Sequence, residues 1–574
     1  MIQAFKRKAS QVAGDPVLRR WLMARALGRW PGPPPFTAGC PPYLDGMMPP
    51  PATPATTSVA GLAYAEIPAT EPRAPVTLPL PAETVTLAPG QEDALMDRQF
   101  ADTETLLGLH RFAWLPVVGD GVDPAWVGAL WRAWARRHGT PEKGWAWHPY
   151  TAAERAINLL AFAGRHGLPS PSADTLALLA EHAPAMAGRL EYFGEHNTSN
   201  HLANNGRGLF ILGLELGMDA IADLGARVLI EEARRIFLPS GVLGEGSSHY
   251  HLLLARGYAD AWLAARAHGR AETAELEAIT RRALAVIPRL VLPGGLPLIG
   301  DVSPDCPPGH LAGLLPGGDL ISGWAGLLDE DDRMALAALR DSCAPVSAET
   351  LRTDGWLRGD FGPWSGLWHA APEGWSPMPG HGHQDIGGFE LHFADEAVFR
   401  DMGRGSYGPA GEAGRAAPAH NTLIVDGVDP YPPNRPYYAD GFRAAVTGRP
   451  PVLAAEADGV RLVHHGYSRL GGIGAVSRHW RFAGIAFEIT DLVEGGGRHS
   501  VSRFLHTALP VEKSAGGVIL RGKGRTYRVA SKDPMSLGPA TFWRAYGEGT
   551  PATTIEIASH VELPWESTMT VEVS

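Results

Sequence analysis

Residues 379–421 read PGHGHQDIGGFELHFADEAVFRDMGRGSYGPAGEAGRAAPAHN. Within them GGFELHFADEAVFRD alternates apolar and polar residues around Ala394-Asp395, the pattern of a β-hairpin. His383 stands ahead of the hairpin and Asp401 falls at its far end, 18 residues later. Antiparallel pairing brings such ends together, so the two side chains are expected to be neighbours. His420 follows, directly before a further strand-like run, NTLIVDG, which could lie beside the hairpin as a third strand. Two imidazoles and one carboxylate suit Zn²⁺, making His383, Asp401 and His420 candidate ligands. One more imidazole, His381, lies two residues before the first.

Downstream of about residue 350 the apolar period stays at two. Short runs such as GLWHA, VRLVHHGY, HWRFAGIAFEITDLV, VSRFLHTAL, GVILRG, TYRVAS and TIEIASHVEL are separated by Gly-rich turns. This spacing predicts stacked antiparallel sheets, a sandwich. Upstream, residues 96–345 turn helical. Asp123-Pro124 sets a capping residue before proline at the first helical position, and Trp126, Leu130 and Trp134 recur along one face. Thr151 and Glu154 form a T-x-x-E capping box ahead of ERAINLLAFAGRHG, which Gly167 and Pro169 end. Further helical runs are TLALLAEHAPAMAGRLEYF, NHLANNGRGLFILGLELG, IADLGARVLIEEARRIF, SHYHLLLARGYADAWLAARAHG, ETAELEAITRRALAVIPRLV and WAGLLDEDDRMALAALRDSC. Short Gly/Pro turns between many of them favour helical hairpins. Helices first and strands after mean an α+β chain of separate domains. The expected division is an N-terminal basic segment and Pro-rich arm over 1–95, a helical domain over 96–348 and a β-sandwich over 349–574. The basic run Lys6–Trp30 is expected as a short helix packed on the body, and PGPPPF and PPPATPATT as part of an extended arm.

Two helical stretches carry unusual polarity. NTSNHLANNGRG holds Asn197, Asn200, His201, Asn204 and Asn205, and asparagine is a poor helix former. Capping explains one or two of them. Asn200 and Asn204, at i and i+4, fall on one face with His201 adjacent. They read either as a capped end with a polar interior network or as neutral donors aimed into a cleft. In GEGSSHYHLLLARGYADAWL, Tyr250 follows a polar cap and opens an apolar helix.

The ordered series NTSNHLANN, GEGSSHYH, GHGHQD with FRDMG, and AHNTLIVDG resembles the signature of the heparinase II/III-like polysaccharide lyases across roughly residues 100–430. The resemblance implies that the helices close into an incomplete (α/α) toroid, followed by the antiparallel β-sandwich. It implies a structural zinc on His383, Asp401 and His420, with His381 facing the substrate as a catalytic residue. It makes Asn200 and His201 the carboxylate-binding and catalytic pair, and Asn204 a second carboxylate partner. The family doubles the Asn before the His, whereas Ser199 stands at the first of those positions here. Glu245, Ser247, Tyr250 and His251 match its E-x-S-x-x-Y-H element, which carries the catalytic tyrosine. PLIGDVSPD, with Gly300 and Asp301, resembles a GD element expected to support the cleft. Tyr407 could line that cleft, and Arg404 and Arg415 could attract an anionic chain.

The implied chemistry is β-elimination on a uronic-acid-containing acidic polysaccharide. Removing the proton at C5 of an ionised uronate needs donors on the carboxylate to hold the developing enediolate. Asn200 donates without titrating. A phenol at an ordinary pKa of about 10 is a poor base near neutrality, so Tyr250 is expected to protonate the leaving oxygen. His201 or His381 then serves as base, or Tyr250 itself for the opposite C5 configuration. A toroid also suits a glycoside hydrolase, which needs two carboxylates, here Glu245 and Asp301. A non-catalytic carbohydrate-binding relative is the third reading.

Composition narrows the partners. The 574 residues are 45% hydrophobic and 19% charged, with a formal charge of −11, which argues against nucleic acid. An acidic polysaccharide stays compatible, because a cleft can be locally basic. Cys40, Cys306 and Cys343 are too few and scattered for a disulfide framework or a cysteine zinc site. No stretch is long and apolar enough to span a bilayer. The basic start lacks an apolar core of a secretory signal, so a cytoplasmic location is expected, with the periplasm and a homodimer left open.

Overall fold

A computed structural model describes residues 12, 15–29, 38–47, 64–195, 197–375, 378, 380–408, 411–432 and 440–574. Lys6, Arg7 and Lys8, and the runs PGPPPF and PPPATPATT, lie outside the described residues. The chain folds as a helical toroid followed by an antiparallel β-sandwich.

The helices form where sequence and capping agree. Asp123 accepts from the Ala125 amide at the start of Pro124–His138, and Trp126, Leu130 and Trp134 are buried along that helix. Helix Pro149–His166 begins two residues ahead of the expected capping box. Pro149 takes the first helical position, so Thr151 and Glu154 fall inside the helix; Glu154 is buried against Arg207. The run expected as one helix over TLALLAEHAPAMAGRLEYF breaks into Ser172–Ala180 and His182–Ala187. Pro184 lacks the amide that would bond Ala180, which disfavours one continuous helix. Pro288 accompanies a similar division into Thr273–Leu284 and Ile287–Leu290. Helices Asn200–Glu215 and Ser248–Ala267 carry the two polar stretches, both starting at the domain boundary.

The first sheet is a four-stranded meander, Trp356–Phe361, Trp364–His369, Gly388–Phe393 and Glu396–Phe399. The last two strands are the expected hairpin, with Ala394 at φ 51° in its turn. The second sheet is ten-stranded and built on two long partners, Ala486–Thr507 and Glu548–Val573. Trp364, Trp368, Phe389 and Leu391 of the meander pack with Trp480, Phe482, Leu505 and Ile555 of the larger sheet. Helix Pro16–Ala26 buries Leu18 and Trp21 in the same core. NTLIVDG does not join the hairpin. Leu423–Val425 pairs with Val501–Arg503 of the larger sheet. Asn421 bridges the gap: its Nδ2 donates to the Phe389 and Arg400 carbonyls at 2.7 and 3.0 Å, and its Oδ1 accepts from His506 N at 2.7 Å.

Among the described residues no helix is long and apolar enough to cross a membrane. The two domains meet where 244–250 and 299–303 face Met378 and residues 380–408. Gly300 sits at φ +81°, and a Cβ there would lie 2.5 Å from Gly246 O and 2.9 Å from His381 O. The Tyr546 hydroxyl accepts from Tyr407 N at 3.0 Å and donates to Asp102 at 2.9 Å, tying the sandwich to the start of a toroid helix.

Candidate active site

Helix Asn200–Glu215 starts without a side-chain cap from Ser199. The cap comes from Glu245, in the turn before the next polar helix. Asn200 N donates to Glu245 Oε1 at 2.5 Å and Asn200 Nδ2 to Oε2 at 2.9 Å. The Glu245 carboxylate is fully buried, an anion at a helix N-terminus where backbone donors and dipole favour it. It also decides which end of the Asn200 amide is which, since a carboxylate accepts only from the NH₂. The same Nδ2 lies 3.3 Å from His381 Nε2.

His381 comes from the loop between the second and third strands of the meander, and a toroid carboxylate orients it. Its Nδ1 is 3.1 Å from Asp301 Oδ2. Asp301 accepts in addition from His383 Nε2 at 2.8 Å and Arg404 Nη1 at 3.2 Å. Burial opposes ionisation of Asp301, but the imidazole hydrogen bonds and the Arg404 charge hold its pKa well below the usual carboxylate range. The carboxylate on Nδ1 fixes the ring and turns Nε2 toward the Asn200 amide, with Glu245 Oε2 3.5 Å from the same nitrogen.

Tyr250 stacks on His381 with ring centroids 3.4 Å apart and planes 13° from parallel. Its hydroxyl is 2.7 Å from that of Tyr407, which donates to Val302 O at 3.0 Å. A hydroxyl carries one proton, so Tyr250 is the donor to Tyr407. Burial pushes the pKa of both phenols well above 10, so each keeps its proton.

His201 turns to the other wall. Its Nδ1 is 2.7 Å from Glu191 Oε1, and the ring lies 4.7 Å from that of Tyr150. Asn205 Nδ2 donates to Glu191 Oε2 at 3.0 Å. Burial opposes it, yet the His201 charge and hydrogen bond bring Glu191 down to about 2, and Glu191 raises His201 in return. Asn204 lines one interior cavity of the toroid together with Asn200, Tyr150 and Arg207. It faces the toroid interior, where its Oδ1 accepts from Arg207 at 3.2 Å and its Nδ2 is buried without a protein partner. Arg404 is buried and committed to Asp301 and Glu412. Arg415 closes the turn Gly411–Arg415, its carbonyl accepting from Gln384 N at 3.0 Å.

The three candidate metal ligands are brought together with a different pairing from the expected one. His420 Nδ1 is 2.7 Å from Asp401 Oδ2, the rings of His383 and His420 are 5.0 Å apart, and His383 reaches Asp301. Among the described residues no three His, Cys, Asp or Glu groups converge as a metal shell. Two buried nitrogens, His383 Nδ1 and His420 Nε2, have no protein partner, the donor type Zn²⁺ takes. The sequence reading did not single out Glu191 or His148, and it gave Glu245 no capping role. A single carboxylate with no fixed spacing to its partners leaves no pattern to read.

Residues 351–572 match the family model described as heparinase II/III-like, C-terminal. This part of the chain is a heparinase II/III-like domain. The match bears out the resemblance drawn from the motifs. No curated protein sequence matches the chain. Among solved structures, heparinase III aligns with TM-score 0.60 at 16% identity over 83% of this chain and 78% of that one. A second heparinase III gene product aligns with TM-score 0.56 at 15% identity over 97% and 91%. Heparan sulfate lyase HepC from Pedobacter heparinus gives 0.52 at 15% over 98% and 92%. At such identities the likeness is one of fold, and it spans the toroid in front of the heparinase II/III-like domain as well.

Proposed function

We propose that the protein is a polysaccharide lyase that cleaves a uronic-acid-containing acidic polysaccharide by β-elimination. The observation that carries this reading is the convergence of the Asn200 amide, His381 Nε2 and the Tyr250 hydroxyl at the domain boundary. The similarity in fold to heparinase III and to a heparan sulfate lyase supports the same class.

The roles follow from hydrogen-bond inventory. With one Asn200 N–H fixed on Glu245, the other points toward His381 and can transfer to a uronate carboxylate, stabilising the enediolate as charge develops. His381 Nε2 takes the C5 proton, and Asp301 steadies the resulting imidazolium. The electron pair released from the C5–H bond forms the C4–C5 double bond as the C4–O bond breaks. Tyr250, kept protonated by burial, gives its proton to the departing glycosidic oxygen. His201, held by Glu191, presents a cationic imidazole to an acidic chain. A hydrolase needs a carboxylate free to accept or deliver a proton, whereas Glu245 caps a helix and Asp301 is bound by three cationic or imidazole groups.

The same reading gives the His383, Asp401 and His420 cluster a structural Zn²⁺: the two unpartnered imidazole nitrogens, His383 Nδ1 and His420 Nε2, would hold the ion, and Asp401, on Nδ1 of His420, would orient that ring. Bound there, the ion would cross-link the His383 loop to the end of the hairpin and so steady His381.

The test is absorbance of the conjugated C4–C5 double bond during incubation with heparan-type chains, alginate, hyaluronan, glucuronan and bacterial exopolysaccharides. Absorbance that rises with the wild type and is lost with Tyr250→Phe supports the lyase. New reducing ends without absorbance overturn it in favour of hydrolysis.

A further inference from the structure

We propose that Trp145 and His148 form a sugar-binding subsite on the toroid wall, taking a pyranose ring of the chain that neighbours the reacting uronate. This inference rests on the lyase reading for the identity of the chain, and on geometry for the site. Trp145 is 51% exposed, whereas Trp114, Trp126, Trp134 and Trp147 of the same domain are buried. It opens the short turn Trp145–Trp147, which is anchored from beneath. Arg155 donates to Ala146 O at 2.7 Å, Arg189 donates to Trp147 O, and the Trp147 ring packs 4.7 Å from His182. An exposed indole on a fixed turn is a preorganised platform, and the C–H face of a pyranose is the apolar surface that suits it.

His148 lies next along the wall. Its ring is 5.6 Å from that of Trp145 and 6.5 Å from that of His201, whose chain neighbour is Asn200. The His148 side chain is one-third exposed, with Nε2 3.6 Å from Glu191 Oε1. Nδ1 is therefore the nitrogen turned from that carboxylate. Burial lowers the His148 pKa beyond what Glu191 restores, so a neutral imidazole is available to sugar hydroxyls. Trp145, His148, His201 and Asn200 thus form one strip from the exposed rim to the reaction centre.

The experiment pairs turnover with equilibrium binding. Lyase kinetics on the cleaved polymer are measured for the wild type, Trp145→Ala and Trp145→Phe. Calorimetric binding of hexasaccharides from the same polymer panel is measured in a Tyr250→Phe background with and without each change, and thermal unfolding checks each fold. The expected result for Trp145→Ala is a KM raised about ten-fold with kcat within about two-fold, matched weakening of hexasaccharide binding, and recovery in Trp145→Phe. Elimination activity with unchanged KM and binding in Trp145→Ala overturns the subsite and leaves the lyase standing. Hexasaccharide binding lost in Trp145→Ala without any elimination activity supports the subsite and overturns the lyase. No hexasaccharide binding to any variant overturns the subsite.

Discussion

Tyr250 and His201 show how neighbours assign roles to side chains of ordinary chemistry. Tyr250 stacks on an imidazole and donates to another phenol, which suits proton delivery. Tyr250→Phe keeps the ring contact and removes only the hydroxyl, so kcat is expected to fall by about 10²–10⁴-fold with the fold intact; steady-state kinetics beside circular dichroism check this. The His201–Glu191 pair gives a pH signature. Glu191, held at about 2 instead of 4.5, contributes stability present above pH 4.5 and lost as pH falls toward 2. His201, raised above 6.5, contributes stability present below pH 6.5 and lost as pH rises through its folded value. The pair therefore stabilises most between about pH 4.5 and 6.5. The unfolding-temperature gap between wild type and Glu191→Gln should be widest there and narrow on the alkaline side. An equal gap at about pH 5.5 and 8.5 would show that His201 is not coupled to Glu191.

Among the elements, the start of helix Asn200–Glu215 is the informative one, because a distant carboxylate caps it. Glu245→Gln keeps the size and loses the charge-assisted acceptor while letting the Asn200 amide turn over. It should cost about 1–3 kcal/mol of stability and about 100-fold in kcat through misplacement of the amide, read by denaturant unfolding and by kinetics. Loss of stability with kcat unchanged would limit Glu245 to capping. The helices were legible because periodicity, Asp-Pro starts and Gly stops are local signals, and the hairpin 388–399 because its turn and alternation are local too. The long strand Ala486–Thr507 was not read as one strand. Gly495, Gly496 and Gly497 look like a turn in sequence, whereas here they pass through a register shift between Val493 and Gly497 in a continuous pairing. At the site, Asn200, Tyr250 and His381 were legible through motifs. The bond from Arg207 to Asn204 was not, because helical spacing places two residues on one face without saying what each one meets.

For the whole molecule, the proposed zinc and the domain boundary make separate predictions. Purified protein is expected to carry about one equivalent of zinc, and chelation should lower its unfolding temperature while His420→Ala lowers metal content. Protein that is metal-free as purified and indifferent to chelator and added Zn²⁺ would remove the metal from the account. The boundary matters more broadly. Asp301 belongs to the toroid, yet it holds His381, His383 and Arg404, all from the sandwich. One half therefore supplies the carboxylate that aligns the other half's imidazole, and neither half alone contains the proposed centre. Turnover becomes a gauge of how the halves are seated. On warming, inactivation should run ahead of the loss of helical ellipticity, because a slight slip between intact domains is enough to part Asp301 from His381.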